Sequence, residues 1–378
     1  MSKLQNEIKM GIKIPIIDLK AQYETIKDEI EGAVKDVLSS GNYILGPNVE
    51  KFEAELSNYL GCKYVISCAN GTDAIVLSLM ALGVKAGDEV ITVSHSFFAT
   101  SEAIALVGAT PVFVDIKEDD FNIDPSKIEP LITKKTKAII PVHLYGQACE
   151  ITSVVEIAKK HGLFVIEDTA QALGAKYNGK PLGTFGNIGT TSFYTTKNLG
   201  ACGDAGAIFT NDENIANVLK QLRVHGSPKR YVHDYIGLNS RLDEIQAAIL
   251  RVKLKYLDFW NKARQKAASN YDGLLKNINH LITPKVKPNC SHIFHQYTIR
   301  VKERDILAKK LKEEGIDTFV YYPIPIHMQK AFSYLKNKTS LLPVTERVSN
   351  EILSLPMYPE IKREDQEYVA GKIREACK

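Results

Sequence analysis

Short apolar runs recur through the first half of the chain, at 64–68, 89–93, 110–114, 138–141 and 163–166. Each is nearly continuous rather than alternating. A strand with one wet face alternates, whereas a strand covered on both faces does not. Helix-like stretches at 72–82, 98–106 and 151–160 fall between them. Strands separated in this way need crossover connections, and the result is a largely parallel sheet with helices on its faces. The expected class is therefore α/β. A helix over about 18–39 and turn signals at Gly41 and Gly46 precede the first strand.

After about residue 240 the rhythm changes. Leu242, Ile245, Ile249, Val252, Tyr256, Phe259 and Ala263 are spaced three or four apart, with Leu250, Leu254 and Leu257 widening the stripe. This predicts one long helix that lies on the large domain and leads into a second one. Beyond it the pattern is α+β: a strand at 296–301, a helix at 306–314, a second strand at 317–321, a loop at 352–356 and a closing helix at 362–376. We expect a large domain over residues 1–250 and a smaller C-terminal domain over 251–378. No repeat or low-complexity linker separates them, so they should be closely joined.

Composition removes several classes of function. The 378 residues carry 48 Lys+Arg against 44 Asp+Glu, a formal +4 with no local basic tract, which does not suit a nucleic-acid binder. A hydrophobic content of 44% excludes a disordered chain. The longest nearly apolar run, 74–84, is short of the roughly 18 residues a membrane helix needs. Residues 1–13 are polar and have no apolar signal core, and Met10 could initiate as well as Met1. Cys62, Cys68, Cys149, Cys202, Cys290 and Cys377 form no C-x-x-C and read as reduced thiols, so a cytoplasmic setting is expected.

Two patterns look like sites and are not. The stretch 174–181 fits G-x-x-x-x-G-K, but Pro181 stands where a phosphate loop needs the hydroxyl that holds Mg²⁺; a hairpin turn is the better reading. Cys290, His292 and His295 resemble metal ligands, but in an extended segment His292 and His295 have opposite parity, and no fourth ligand is evident. A structural strand is expected there, and no metal.

Three other segments carry chemistry. Asn70-Gly-Thr-Asp-Ala74 follows a strand and opens a helix, where free N–H groups and the positive helix end can cradle a phosphate. By itself, Thr or Asp at such a place is usually only a cap. Phe164-Val-Ile-Glu-Asp168 ends a buried strand with two carboxylates, at the edge where α/β sheets bind ligands. Such a carboxylate holds a cation, partners a protonated nitrogen, or merely caps a helix. Ser192-Phe-Tyr-Thr-Thr-Lys197 begins strand-like and runs into Gly200, Gly203 and Gly206, and its lysine could be an amine nucleophile. A lysine taken alone is ordinarily a solvated charge. Together the three supply what pyridoxal 5′-phosphate needs: an amine for its aldehyde, a carboxylate that keeps its ring nitrogen protonated, and a phosphate cradle. Phe97 or Phe98, after the strand end at Ser96, could cover one ring face.

With Gly203-Asp-Ala-Gly-Ala-Ile208 and Gly237-Leu-Asn-Ser-Arg-Leu-Asp243 added, these motifs resemble the DegT/DnrJ/EryC1/StrS family of nucleotide-sugar aminotransferases. The resemblance runs from Ile14 to Pro359. It implies the type I fold of pyridoxal-phosphate transferases: a mostly parallel seven-stranded sheet flanked by helices, with a smaller α+β C-terminal domain. It implies pyridoxal 5′-phosphate as cofactor, with Lys197 bonding its aldehyde and shuttling protons. Asp168 is then the partner of the ring nitrogen, Gln171 the contact to the ring hydroxyl, and Phe97 the stacked aromatic. Gly71, Thr72 and Ser192 match the phosphate-binding positions. Asn239 is similar to the residue that reaches the phosphate from the other subunit, which implies a homodimer with shared active sites. Arg241, Tyr321 and His327 are the implied substrate contacts.

The chain departs from the commonest family pattern at Asn70, Tyr194, Thr195-Thr196 and Tyr321. The changes at Tyr194 and Tyr321 touch substrate detail rather than the cofactor. Stretches 239–248 and 322–327 resemble members that aminate C3 of a keto sugar. The expected reaction moves an amino group from L-glutamate to a nucleotide-linked sugar, with a dTDP-3-keto-6-deoxyhexose favoured. UDP-3-keto-N-acetylglucuronate and a 4-keto sugar are the alternatives. A sugar dehydratase of this fold would carry histidine in place of Lys197, and a regulatory protein that kept the fold need not keep Lys197, Asp168 and the cradle together.

Overall fold

The computed structural model describes residues 13–335 and 341–377. Its first helices, α1 (Leu19–Thr25) and α2 (Lys27–Ser40), stand where the sequence predicts one. The chain breaks at Ile26, whose φ of −134° is not helical, and Ile26 packs inward in one cluster with Ile30 and Trp260. Helix α3 (Pro47–Leu60) has proline in its first turn and ends on Gly61 in the left-handed conformation.

The α/β unit then alternates as the apolar runs demand. It comprises β1 (Tyr64–Cys68), α4 (Gly71–Ala81), β2 (Glu89–Val93), α5 (Ala99–Leu106), β3 (Thr110–Val114), β4 (Thr136–Ile140), α6 (Ile151–His161) and β5 (Phe164–Asp168). A hairpin, β6 (Lys176–Tyr177) and β7 (Lys180–Pro181), occupies the stretch that mimics a phosphate loop. β8 (Ile188–Ser192), β9 (Gly206–Thr210) and α7 (Glu213–Leu222) complete the unit. Seven strands form one sheet in the order β1-β9-β8-β5-β4-β2-β3. Within it β9 alone runs against its neighbours, and the β8-β5-β4-β2-β3 series is parallel.

Both faces of the sheet are covered, which is why its strands do not alternate. Ile66, Val90, Ala138, Ile140 and Ile166 pack with α4, α5 and α7. Ile91, Val93, Ile139 and Val165 pack on the other side with Ile151 and Val154 of α6. The sequence gives little sign of β8, an Ile-Gly-Thr-Thr-Ser run. Its smallness is steric: a Cβ on Gly189 would lie 2.3 Å from the Gly183 carbonyl oxygen.

Two helices, α8 (Glu244–Leu254) and α9 (Leu257–Leu274), replace the single long helix predicted. At the junction Lys255 and Tyr256 donate to carbonyls only three residues back, and the buried stripe slips by one position. Phe259 is 69% exposed, while Trp260 is 2%. Beyond α9 come β10 (Leu281–Ile282), β11 (Tyr297–Val301), α10 (Arg304–Glu313), α11 (Pro343–Glu351), β12 (Ile352–Leu355) and α12 (Arg363–Ala376). β11 lies antiparallel between β10 and β12. The stretch expected as a loop is thus β12, whose Leu353 and Leu355 enter the C-terminal core. The strand expected at 317–321 is not formed. Phe319 exchanges one pair of hydrogen bonds with Ser354, and the chain then leaves toward the sheet edge. Ile14 pairs with Ile316 and joins the same core as Tyr271, Tyr297 and Ile373.

All six cysteines are free. No helix among the described residues is long and apolar enough to cross a membrane.

Candidate active site

The C-terminal ends of β2, β5 and β8 and the start of α4 meet at one edge of the sheet, where open α/β folds bind ligands. A cleft of about 580 Å³ opens there, closed on its far side by residues 295–296 and 321–322.

The floor is the start of α4. Asn70 caps the helix, its Oδ1 accepting the Asp73 N–H at 2.8 Å. The N–H groups of Gly71 and Thr72, with no intrahelical partners, are left at the cleft. Gly71 is required by contact rather than by torsion: a Cβ would stand 2.6 Å from Ser192 Cβ. Glycine therefore lets the end of β8 bring Ser192 against the helix start.

Strand β5 separates its two carboxylates by the strand period. Glu167 points away from the cleft and is fully buried. It accepts the N–H groups of Gly183, Phe185 and Gly186 at 2.6–2.9 Å and pairs with His143 Nε2 at 3.1 Å. It holds a loop. Asp168 lines the cleft and accepts from Thr100 Oγ1 at 3.1 Å and the Ala170 N–H at 3.0 Å. Thr100 in turn lies 3.0 Å from Ser96 Oγ. Burial raises the Asp168 carboxyl above its usual range, while the Ala170 N–H and the Lys197 amine oppose the rise. Among the described residues Asp168 has no ion-pair partner in contact.

Lys197 follows β8 in a turn closed by its N–H on the Tyr194 carbonyl at 2.8 Å. Burial pulls its amine down from 10.5 to about 8, against the opposing pull of Asp168. Gln171 is oriented by its partners: Oε1 accepts the Tyr145 N–H at 2.8 Å, and Nε2 donates to Tyr322 Oη at 3.1 Å. Phe97 lies on the cleft, 5.8 Å from the Tyr322 ring, whereas Phe98 turns away onto Phe332. Tyr321 lines the cleft, and its carbonyl accepts the Tyr145 hydroxyl.

The cleft thus brings together Gly71, Thr72, Phe97, Asp168, Gln171, Ser192, Lys197 and Tyr321. It does not include His327, Arg241 or Asn239 of the same chain. His327 is a clasp: its N–H and Nδ1 both meet Ser94 Oγ, at 3.0 and 2.7 Å, and its Nε2 meets Glu346 at 3.2 Å. Arg241 is half-buried outside the cleft. Asn239 is exposed and bridges Val224, at the end of a segment that also exposes Tyr231 and Ile236.

Sequence reasoning missed Thr100, Tyr145, His295 and Gln296. Thr100 could have been found, since it lies one helical turn beyond Phe97. His295 could not. Residues 290–296 form no strand, and Phe294 has a φ of +47°, so the parity argument does not apply. His292 stacks on Phe294 with 3.9 Å between ring centres, and burial pushes its imidazole down to about 3. Among the described residues no three His, Cys, Asp or Glu side chains group as metal ligands.

The family model described as the DegT/DnrJ/EryC1/StrS aminotransferase family matches residues 24–374. The chain is similar to a Geobacillus stearothermophilus protein named pleiotropic regulatory protein, 52% identical over 366 residues, which are 96% of this chain and 98% of the relative. It is similar to the UDP-2-acetamido-2-deoxy-3-oxo-D-glucuronate aminotransferase of Pseudomonas aeruginosa, 46% identical over 346 residues, 92% of this chain and 95% of that one. Among solved structures, S. venezuelae DesV in complex with ketimine intermediate matches with a TM-score of 0.93 at 40% identity, over 97% of this chain and 98% of that one.

Proposed function

The chain belongs to the DegT/DnrJ/EryC1/StrS aminotransferase family, and from that premise we propose that it moves an amino group from L-glutamate to C3 of a nucleotide-linked keto sugar, using pyridoxal 5′-phosphate. The observation that carries this reading is one cleft holding a buried carboxylate, a lysine amine near pH 8 and a glycine-floored helix start. The groups fit the cofactor. Asp168, without an ion-pair partner among the described residues, suits a protonated ring nitrogen, and the N–H groups of Gly71 and Thr72 suit a phosphate.

When bound, pyridoxal phosphate supplies an electron sink beside the carbon that loses its proton. The chain's residues supply the rest. Gly71, Thr72 and Ser192 hold the phosphate. Asp168, braced by Thr100, keeps a proton on the ring nitrogen. Gln171 presents its NH₂ group, because the Tyr145 N–H occupies its oxygen, and so donates to the ring hydroxyl. Phe97 covers one ring face. Lys197 moves a proton between the amine-bearing carbon of the substrate and the aldehyde carbon of the cofactor; in the cofactor-free cleft burial lowers its amine to about 8, so it is partly neutral at physiological pH and can both take and return that proton. Asn239, exposed and away from its own cleft, is assigned to the phosphate in the cleft of a second copy, which makes the working unit a homodimer. Arg241 is assigned with it to the substrate bound there.

For the acceptor we favour a dTDP-3-keto-6-deoxyhexose, on the resemblance of 239–248 and 322–327 to C3-acting members. The Pseudomonas relative is named for a UDP-linked 3-oxo sugar, and a UDP-linked acceptor is the next reading. A purely regulatory protein, which the name of the Geobacillus relative suggests for that protein, needs no lysine amine near pH 8 facing a buried carboxylate. The experiment is a panel of dTDP- and UDP-linked 3-keto and 4-keto sugars with glutamate, read by the mass of the product. Amination of a 3-keto sugar is expected. Amination of 4-keto sugars alone contradicts the C3 assignment, and no amination at all favours a regulatory role.

A further inference from the structure

Two polar residues on the far wall of the cleft, His295 and Gln296, are not among those assigned above to the cofactor. His295 lines the cleft and is held from behind by a directional chain. Its Nδ1 meets Asn198 Oδ1 at 2.9 Å, and Asn198 Nδ2 donates to Asn261 Oδ1 at 2.7 Å and to the Ile293 carbonyl at 3.4 Å. Asn261 Nδ2 donates to the Leu173 carbonyl at 3.4 Å. A backbone carbonyl can only accept, so both amides are fixed in direction. Asn198 Oδ1 must therefore accept, and the His295 Nδ1 must carry the hydrogen. The Nε2 lone pair is left for the cleft. Burial and the charges of Lys197 and Arg264 push the imidazole well below its ordinary value, so it cannot become a cation at neutral pH.

Gln296 is 91% buried, at 9% exposure, yet its amide oxygen has no hydrogen-bond partner among the described residues. Its Oε1 is fully enclosed. The void on its inner side is about 10 Å³, at or below the roughly 10–15 Å³ that one water needs. Gln296 also lines the cleft, so a bound molecule there can partner its amide. A buried amide oxygen without a partner is costly to keep where an apolar side chain would fit. Since no hydrogen bond fixes the direction of this amide, a half-turn brings either its oxygen or its NH₂ group to a ligand in the cleft, which points to a ligand that uses it.

An acceptor at His295 and, at Gln296, an amide that can donate or accept, both uncharged, match a hydroxyl, which donates and accepts. They do not match a carboxylate, which the imidazole lone pair repels. We propose that His295 and Gln296 form the wall that binds the hydroxyl-bearing ring of the sugar and is not used by the dicarboxylate amino donor. This rests on the proposed function.

Both substrates can be tested as amine donors to the same yellow enzyme: L-glutamate, and a nucleotide-linked 3-amino-6-deoxyhexose with dTDP or UDP. Each single turnover is read by loss of the cofactor's visible colour. Gln296→Met and His295→Phe are each expected to slow the amino sugar by about tenfold or more, with glutamate changed by less than about twofold. Cofactor-free Gln296→Met should also unfold at the same temperature as wild type or higher, because the orphaned amide is gone. Equal slowing with both donors, slowing with neither, or earlier unfolding of Gln296→Met would overturn the inference. Wild-type enzyme that takes the amine from glutamate and from no nucleotide-linked sugar overturns the sugar reading itself, and the wild-type traces alone reveal that failure.

Discussion

The wall of the cleft built on the sheet edge and the wall built from residues 295–296 and 321–322 satisfy their polar groups in different ways. On the sheet edge nearly every group is braced: Asp168 by Thr100 and Ala170, Asn70 by the helix it caps, Gln171 by Tyr145 and Tyr322. On the opposite wall His295 is braced only from behind, and the Gln296 amide oxygen has no partner among the described residues. The first wall is preorganised for a fixed charged group, which suits a resident cofactor. The second leaves neutral groups waiting, which suits a substrate that comes and goes.

The most severe break in this contrast is on the braced wall. Lys197→Ala is expected to lower turnover by roughly 10³-fold or more, measured in steady state, since nothing else in the cleft can replace the shuttling amine. Asp168→Asn keeps the Oδ1 acceptor for the Ala170 N–H, puts an NH₂ group where Oδ2 accepted from Thr100 Oγ1, and loses the charge; it should cost on the order of 100-fold in kcat with a much smaller effect on the unfolding temperature. Its neighbour behaves oppositely. Glu167→Ala removes the partner of His143 and three N–H groups, and is expected to cost about 3–5 kcal/mol in denaturant unfolding.

A pH experiment sharpens the point. In the cofactor-free protein Lys197 has a pKa of about 8, against 10.5 for the free side chain. The buried ammonium costs stability in full below about pH 8, and the cost fades as pH rises from there toward 10.5. Cofactor-free Lys197→Met should therefore be more stable than wild type at pH 7, with an advantage that shrinks toward pH 10.5. The smallest effect is expected outside both walls. His327→Ala should lose about 1 kcal/mol through the Ser94 and Glu346 bonds, with little change in the KM for sugar.

The two walls also differ in how far the sequence discloses them. The sheet-edge residues follow from local rules: a strand end, a helix start, an alternation that places Asp168 and Glu167 on opposite faces. Even Thr100 follows from helical spacing. The far wall has no such rule. Phe294 in the left-handed region rotates His295 and Gln296 out of any simple alternation, and Tyr321 arrives by a chain that pairs with β12 only at Phe319. For the same reason the helical stripe misplaces Phe259: the break at 255–256 is set by Trp260 packing with Tyr256 and Ile26, which are distant in sequence or out of phase. Side chains set by tertiary contact, such as the Ser94 clasp on His327, leave no pattern along the chain.

The central claim is that Lys197 bonds pyridoxal phosphate in this cleft. It is tested most directly by loading the protein with the cofactor, reducing with borohydride, digesting, and locating the modified peptide by mass spectrometry. The account predicts one cofactor per chain, fixed on Lys197. A colourless protein that takes up no cofactor, or a modification on any other lysine, would contradict it.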